Sequence, residues 1–176
     1  CMSGRNRNFE MMGIDSRLHL AHNSFGMKNE AEIGVRLHRD SLSNQTVRSK
    51  TNENARSGDL TGDDTQEARG IAFYGQNRFL IGDKVAVTPG LRIETYAQER
   101  KNELTGASGT SSNTEVMPGV GVTWQIAPQA QAFAGAFKGF SPAMVASAIS
   151  ADGLDQELEA ERSTNLEIGV RGAVDR

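Results

Sequence analysis

The sequence offers few residues that could carry out catalysis. The only cysteine is Cys1, and none of the three histidines stands in a recognisable catalytic arrangement with a serine or that cysteine. His19 and His22 are three residues apart, which places them on opposite faces of a strand and argues against a shared metal ion. We therefore predict that the protein is not an enzyme and that it uses no metal and no cofactor.

Two further patterns have an ordinary structural explanation. A cluster of four acidic residues could bind calcium, but it lacks the ordered spacing and the glycine of a known calcium loop, so we interpret it as a solvated loop. The cluster comprises Asp59, Asp63, Asp64 and Glu67. Gly119 and Gly121 are followed by neither a helix nor a Lys-Ser/Thr pair, so they do not form a phosphate-binding loop.

The composition argues against two broad classes of protein. The chain has 19 lysines and arginines against 22 aspartates and glutamates, which gives a formal net charge of -3 over 176 residues. A nucleic-acid-binding domain would show a basic excess, so we predict no nucleic-acid partner. No run of about 18 apolar residues occurs, which excludes a helical membrane protein.

Alternation of apolar and polar residues is the dominant pattern, and it predicts β-strands. Residues 31–38 read AEIGVRLH, so that Ala31, Ile33, Val35 and Leu37 share one face of a strand. The same period of two predicts seven strands, at residues 13–22, 29–40, 69–79, 84–100, 114–126, 131–140 and 161–172. In the sixth of these, Phe133 and Phe137 share a face and Lys138 lies on the other.

The connections between the predicted strands alternate between short and long. The short ones are 23–28, 80–83 and 127–130, and the longer ones are 41–68, 101–114 and 141–160. In an up-and-down sheet, this order puts all turns at one edge and all loops at the other, as in an outer-membrane barrel. The predicted fold is therefore all-β, with antiparallel up-and-down strands forming part of a large transmembrane β-barrel.

Alternation alone does not say whether the apolar face meets a protein core or lipid. The predicted strands have about 10 residues or more, which matches the roughly 9–11 that cross a bilayer at a tilt. Trp124 and Phe79 lie near the turn-side strand ends, where an aromatic girdle belongs. Glycines on the polar face, such as Gly34 and Gly169, would let another element approach closely. An open seven-stranded sheet with an apolar face would aggregate, so we expect a segment of a larger barrel.

Three segments resemble consecutive strand pairs of the TonB-dependent outer-membrane receptors, and the ferric dicitrate type in particular. They are 71–93 (IAFYGQNRFLIGDKVAVTPGLRI), 118–142 (PGVGVTWQIAPQAQAFAGAFKGFSP) and 158–171 (LEAERSTNLEIGVR). The resemblance covers residues 70–171, whereas residues 1–69 fit by pattern. It implies that residues 1–176 are a fragment of a 22-stranded barrel domain, without the plug domain and the C-terminal strands.

The resemblance also implies a function and partners. The parent receptor would import a ferric chelate, ferric citrate or a siderophore, across the bacterial outer membrane. Its partners would be that cargo, the plug domain of the same chain, outer-membrane lipid and, through an N-terminal region, the TonB-ExbB-ExbD energy-transducing complex. Two alternatives stay open: a passive porin-type barrel, and a soluble all-β ligand-binding module with its apolar face buried inside.

Under this resemblance, cargo would meet inward-facing side chains near the loop ends of the strands. Arginine suits carboxylate chelates because its planar fork donates two parallel hydrogen bonds. The candidate cargo-binding residues are Arg5, Arg7, Arg36, His38, Tyr96, Gln98, Arg100 and Lys138. The candidates that would face the plug are Tyr74, Gln76, Arg92 and Glu94. The open alternative for each charged candidate is that it solvates the lumen or pairs with the plug.

Overall fold

The computed structural model describes residues 2–49 and 58–173, which form one antiparallel sheet. The strands are β1 (Met2–Ser24), β2 (Met27–Ser49), β3 (Asp59–Ile81), β4 (Val85–Asn102), β5 (Ser108–Ala127), β6 (Ala130–Ser141) and β7 (Glu161–Gly172), with a short helix α1 (Val145–Ala148) before β7. Each strand pairs with the next in sequence. The predicted all-β, up-and-down architecture is confirmed. Within the described ranges, no helix is long and apolar enough to cross a membrane.

The ladders bring the apolar residues of all seven strands onto one side of the sheet, which we call the apolar face. Ile14 lies opposite Leu37, which in turn lies opposite Ile71 on β3. Ile14 and Leu37 are 67% and 45% exposed, and Ile168 on β7 is 89% exposed. The face continues across the sheet through Phe73, Ile93, Val116, Val120, Val122, Trp124, Leu166 and Val170. We call the opposite side the polar face.

Four strands extend well beyond the predicted bounds at their loop ends. The ladder between β1 and β2 runs from the turn up to Met2 and Ser49, and the β2–β3 ladder reaches Arg48 and Asp59. The predicted loop 41–68 is therefore wrong for 41–49 and 59–68, and its residues 50–57 lie outside the described residues. The link predicted at 101–114 is also shorter in the structure, because β4 ends at Asn102 and β5 begins at Ser108.

The physical reason for these corrections lies in the surroundings of the strands. Only about 9–11 residues of a strand need an apolar side to cross a bilayer. In a strand that crosses a bilayer, the residues beyond that length meet water on both faces, so the backbone ladder can continue without any alternation of residue type. The same extension places Arg36 and His38 in the middle of β2 rather than at its loop end, whereas Arg5 and Arg7 become part of β1 and stay near its loop end.

The face assignment in β6 is also corrected. Val120 and Val122 of the apolar face lie opposite Ala136 and Ala134, whereas Phe133 lies opposite Thr123 on the polar face. The segment AQAFAGAF is apolar at both parities, so its own pattern cannot distinguish the faces, and pairing with β5 decides. Lys138 continues the row of Ala134 and Ala136 by register, but it lies beyond the end of the β5–β6 ladder and lines a pocket with Tyr74 and Arg92 of the polar face.

Candidate functional site

A carboxylate on the polar face joins the first three strands. Asp15 on β1 accepts a 3.0 Å hydrogen bond from Nε of Arg36 on β2 and a 2.7 Å bond from the hydroxyl of Tyr74 on β3. Nε of Arg17 donates to the same carboxylate at 3.2 Å. Arg36, a predicted cargo contact, is therefore held in mid-strand by an acid of its own sheet.

Three glycines on the polar face lie beneath rings from neighbouring strands. The Tyr74 ring lies over Gly34, where a Cβ would overlap it, and the ring of His38 covers Gly70 in the same way. The Phe133 ring lies over Gly169, with Cζ 2.5 Å from where a Cβ would be. Flat rings over cross-strand glycines stabilise curved sheets. Gly34 and Gly169, which the sequence suggested would admit another element, are thus covered from within the sheet.

The predicted plug-facing residues lie next to this network. Nη2 of Arg92 donates a 2.6 Å hydrogen bond to Glu94, and its guanidinium lies 5.6 Å from the ring centre of Tyr74. Glu94 is only 8% exposed. Gln76 lies on the same face, opposite Gly90. The structure therefore brings Tyr74, Arg92 and Glu94 together in the middle of the polar face.

Two polar atoms nearby are buried without a partner. Nδ1 of His38 and Oδ1 of Asp40 have no hydrogen-bond partner among the described residues. Both residues line a cavity of about 430 Å³ together with Met11, Arg36 and Glu94. Buried polar atoms normally have a hydrogen-bond partner, so a polar group from another segment or a ligand could bind in this cavity and pair with these two atoms.

Three predicted cargo contacts instead hold the end of β6 and its connection to β7. Nη1 of Arg100 donates to the carbonyl of Ile149 at 2.9 Å, and its Nη2 donates to Asp64 at 3.0 Å. Gln98 donates to the carbonyl of Ala143 at 2.8 Å. The ring of Tyr96 stacks on Phe140 with centroids 5.7 Å apart. Ile149 is completely buried, so this connection is packed firmly on the polar face.

An ion pair that the sequence analysis missed supports the same arrangement. Arg162 at the start of β7 donates two hydrogen bonds to Glu115 on β5, at 2.8 and 3.0 Å. The Glu115 side chain is 5% exposed. The β5–β6 ladder ends at Phe137, so the upper part of the β6–β7 hairpin can lean over the polar face. No local pattern in the sequence indicates this pairing, because the partners are 47 residues apart.

The loop end of β1 carries the remaining predicted cargo contacts. Arg5 and Arg7 lie on the polar face, and Nε of Arg7 donates to Asn44 at 3.2 Å. Phe9 and Met11 continue the same row and are 58% and 69% exposed. The sequence analysis missed this apolar pair. A signal was present, because the apolar positions of the strand change parity between Met11 and Met12.

The acidic cluster is dispersed in the structure. Asp63 accepts a hydrogen bond from Gln45, Asp64 binds Arg100, and Glu67 binds Arg39 and Arg69. No group of three or more potential ligands in residues 2–49 and 58–173 is placed to hold a metal ion. In the turn after β4, the hydrogen bond from Lys101 lowers the pKa of the Glu103 carboxyl.

Comparison with known proteins gives a family and a fold. The family model for the TonB dependent receptor-like β-barrel matches residues 3–176. No curated protein sequence matches the chain significantly. The ferric citrate transporter FecA in its unliganded form superposes with a TM-score of 0.84 at 19% identity, over 97% of this chain and 26% of that one.

Two further receptor structures are similar to this chain. The alcaligin outer-membrane receptor FauA from Bordetella pertussis gives a TM-score of 0.74 at 18% identity, over 98% of this chain and 27% of that one. P. aeruginosa FpvA bound to pyoverdine gives 0.77 at 17% identity, over 98% of this chain and 24% of that one. The chain thus spans about a quarter of these proteins, and identities this low show the fold alone.

The family match extends over almost the whole chain and agrees with the sheet. Proteins of this family sit in the bacterial outer membrane and are transporters, not enzymes. The matched residues include all seven strands and both faces described above. The chain belongs to the TonB-dependent receptor family, as part of its β-barrel.

Proposed function

We propose that the chain forms part of the wall of an outer-membrane receptor that imports a ferric chelate. The observation that carries this proposal is an inverted distribution of burial. Large apolar residues such as Ile168 and Leu166 are exposed, whereas polar residues such as Glu94, Gln98 and Glu115 are buried on the opposite face. Water would favour the reverse, and lipid against the apolar face supplies the missing cover.

The same distribution argues against a soluble ligand-binding module. Such a module would bury its apolar face in a core. Here the connection between β6 and β7 packs on the polar face, through Arg100 and Ile149, and leaves the apolar face free. The fold therefore uses its polar face as the inside.

An anionic ferric chelate fits the loop end of β1. Arg5 and Arg7 present guanidiniums on the polar face, and carboxylates accept paired hydrogen bonds from such groups. Phe9 and Met11, next in the same row, would contact apolar parts of a cargo. FecA, FauA and FpvA are described as a ferric citrate transporter, an alcaligin receptor and a pyoverdine complex, so iron chelates as a class are the natural candidates, ferric citrate among them.

The middle of the polar face fits the plug domain of the full-length chain. Its charges are already paired within the sheet, as Arg36 with Asp15 and Arg92 with Glu94, so they form a fixed surface rather than a mobile binding site. The unpartnered atoms of His38 and Asp40 would form hydrogen bonds with the plug. Import would then draw energy from the TonB-ExbB-ExbD complex through the plug.

The test uses the full-length receptor in iron-limited cells. Uptake of radioactive ferric citrate and of a small panel of ferric siderophores is measured with and without the gene, and with a protonophore present. We expect one chelate whose uptake needs both the gene and the proton gradient. Gene-dependent uptake that survives the protonophore would instead establish a passive porin-type barrel.

The cargo site is tested by the double variant R5Q/R7Q. Two lost charge-assisted hydrogen bonds should weaken chelate binding to the purified receptor by about tenfold or more. The matched control is R78Q/R171Q, which removes two arginines near the turn end of the polar face. Equal affinities for the two double variants would show that Arg5 and Arg7 do not contact the cargo.

A further inference from the structure

Two arginines face each other across β2 and β3 on the apolar side of the sheet. Arg39 is the direct cross-strand partner of Arg69. They lie on the same side of the sheet as Leu37 and Ile71, and each is the next residue on that side toward the loop end of its strand. Like charges directly opposite each other destabilise a sheet, so this pair needs an explanation.

One carboxylate holds the two arginines together. Oε1 of Glu67 accepts a 2.8 Å hydrogen bond from Nη2 of Arg39, and its Oε2 accepts a 3.0 Å bond from Nη2 of Arg69. Glu67 neutralises one of the two charges and leaves the group with a net positive charge. The arginine side chains are 48% and 65% exposed. Each guanidinium carries five N–H donors, so most of these donors remain available.

The position of Arg39, Arg69 and Glu67 on the strands indicates the kind of ligand. On the turn side of these residues, the apolar residues of the face begin with Leu37 and Ile71. On the loop side, the next residues are the polar Ser41 and Thr65. A barrel wall in a bilayer meets lipid headgroups at this height, where the apolar band ends. Paired guanidiniums bind phosphate through parallel charge-assisted hydrogen bonds.

The neighbouring charges confine the site. Glu10 on β1 and Glu99 on β4 lie on the same side at the height of Glu67, which is the direct partner of Glu99. These carboxylates would repel an extended polyanion passing across the strands.

We propose that Arg39 and Arg69, braced by Glu67, bind a phosphate group of an acylated lipid in the outer leaflet around the barrel. The proposal rests on the proposed function, because it requires the apolar face to meet lipid. It assigns a role to three residues that have no part in cargo or plug contacts.

The test uses native mass spectrometry of the full-length receptor in detergent, titrated with lipid A and with lipid A stripped of both phosphates. We expect the phosphorylated lipid to bind the wild-type receptor at least about tenfold more tightly than the stripped lipid. The double variant R39Q/R69Q should lose this difference. The matched control R78Q/R171Q, altered on the other face, should keep it.

Three results would overturn the proposal. They are equal binding of the two lipids, an undiminished preference in R39Q/R69Q, and complete competition by millimolar inorganic phosphate, which would indicate a site for free phosphate. The proposed function fails separately, if the receptor does not fractionate with the outer membrane or if no chelate uptake depends on its gene. Normal uptake by R39Q/R69Q is compatible with the lipid site, because that variant leaves the polar face unchanged.

Discussion

The hydroxyl of Tyr74 on β3 donates a 2.7 Å hydrogen bond to Asp15 on β1, across the whole width of β2. The bond is possible because the residue beneath the tyrosine ring is Gly34. A side chain at this point would stand in the path of the ring. One hydrogen bond thus connects β1 to β3 across β2, and it depends on the absence of a side chain at Gly34.

Replacing Gly34 by alanine should therefore destabilise the sheet. The new Cβ would overlap the Tyr74 ring and move it away from Asp15, at an expected cost of about 1–3 kcal/mol in the free energy of unfolding. The measurement is urea unfolding of the full-length receptor in detergent, followed by the shift in electrophoretic mobility on heating. Gly121→Ala is the control, since a Cβ there meets nothing within 4 Å. Equal stability of the two variants would contradict the role of Gly34.

Ile168→Lys distinguishes a lipid-facing from a water-facing apolar side. Ile168 is 89% exposed, so in water a lysine would change stability little. Against the bilayer, the charge should cost about 2–4 kcal/mol near the midplane. The measurement is the amount of folded receptor in the outer-membrane fraction, with Glu167→Lys on the other face as control. A normal yield of I168K would support the soluble interpretation.

Arg100→Gln should loosen the connection between β6 and β7. The variant loses the bonds from Arg100 to Asp64 and to the carbonyl of Ile149. Hydrogen–deuterium exchange of the backbone around Ala148 and Ile149 should rise, because these residues are buried only while the connection stays packed. Lys101→Gln, which removes an exposed ion pair next in sequence, is the control. Unchanged exchange together with weaker chelate binding would return Arg100 to the cargo site.

Arg162→Gln should destabilise the upper end of the sheet by removing the guanidinium that pairs with the Glu115 carboxylate. A buried carboxylate that loses its charge-assisted hydrogen bonds costs about 1–3 kcal/mol. The same urea unfolding measurement applies. The double variant E115Q/R162Q should recover part of the loss, because it removes the unpaired charge. No recovery in the double variant would mean that Arg162 acts through packing rather than through its charge.

The sequence was informative where each strand has two unlike faces. Val120 and Val122 alternate with glycines, and that period of two correctly indicated both the strand and its apolar side. Beyond the apolar band the period vanishes. Residues 41–49 and 59–68 carry polar side chains on both faces, so a long strand there has the same composition as a loop.

The candidate site was less accessible to sequence reasoning. Arg100 meets Asp64, 36 residues away, through the pairing of β3 with β4, and it meets Ile149, 49 residues away, only because the β6–β7 connection folds back over the sheet. The side of β6 that carries Phe133 could not be predicted, because that strand is apolar at both parities and only its pairing with β5 decides. Arg5 and Arg7 remain predictions as cargo contacts, now with Phe9 and Met11 beside them.

Every strand of the sheet is hydrogen-bonded only to its immediate neighbours in the chain. Because antiparallel direction alternates, adding or deleting two consecutive strands would leave every other pairing and every strand direction unchanged. Such a wall can therefore gain or lose whole hairpins while the backbone pairing of the remaining strands is kept. Duplication or loss of a gene segment that encodes one hairpin would then change the number of strands, and so the circumference, of a barrel of this kind.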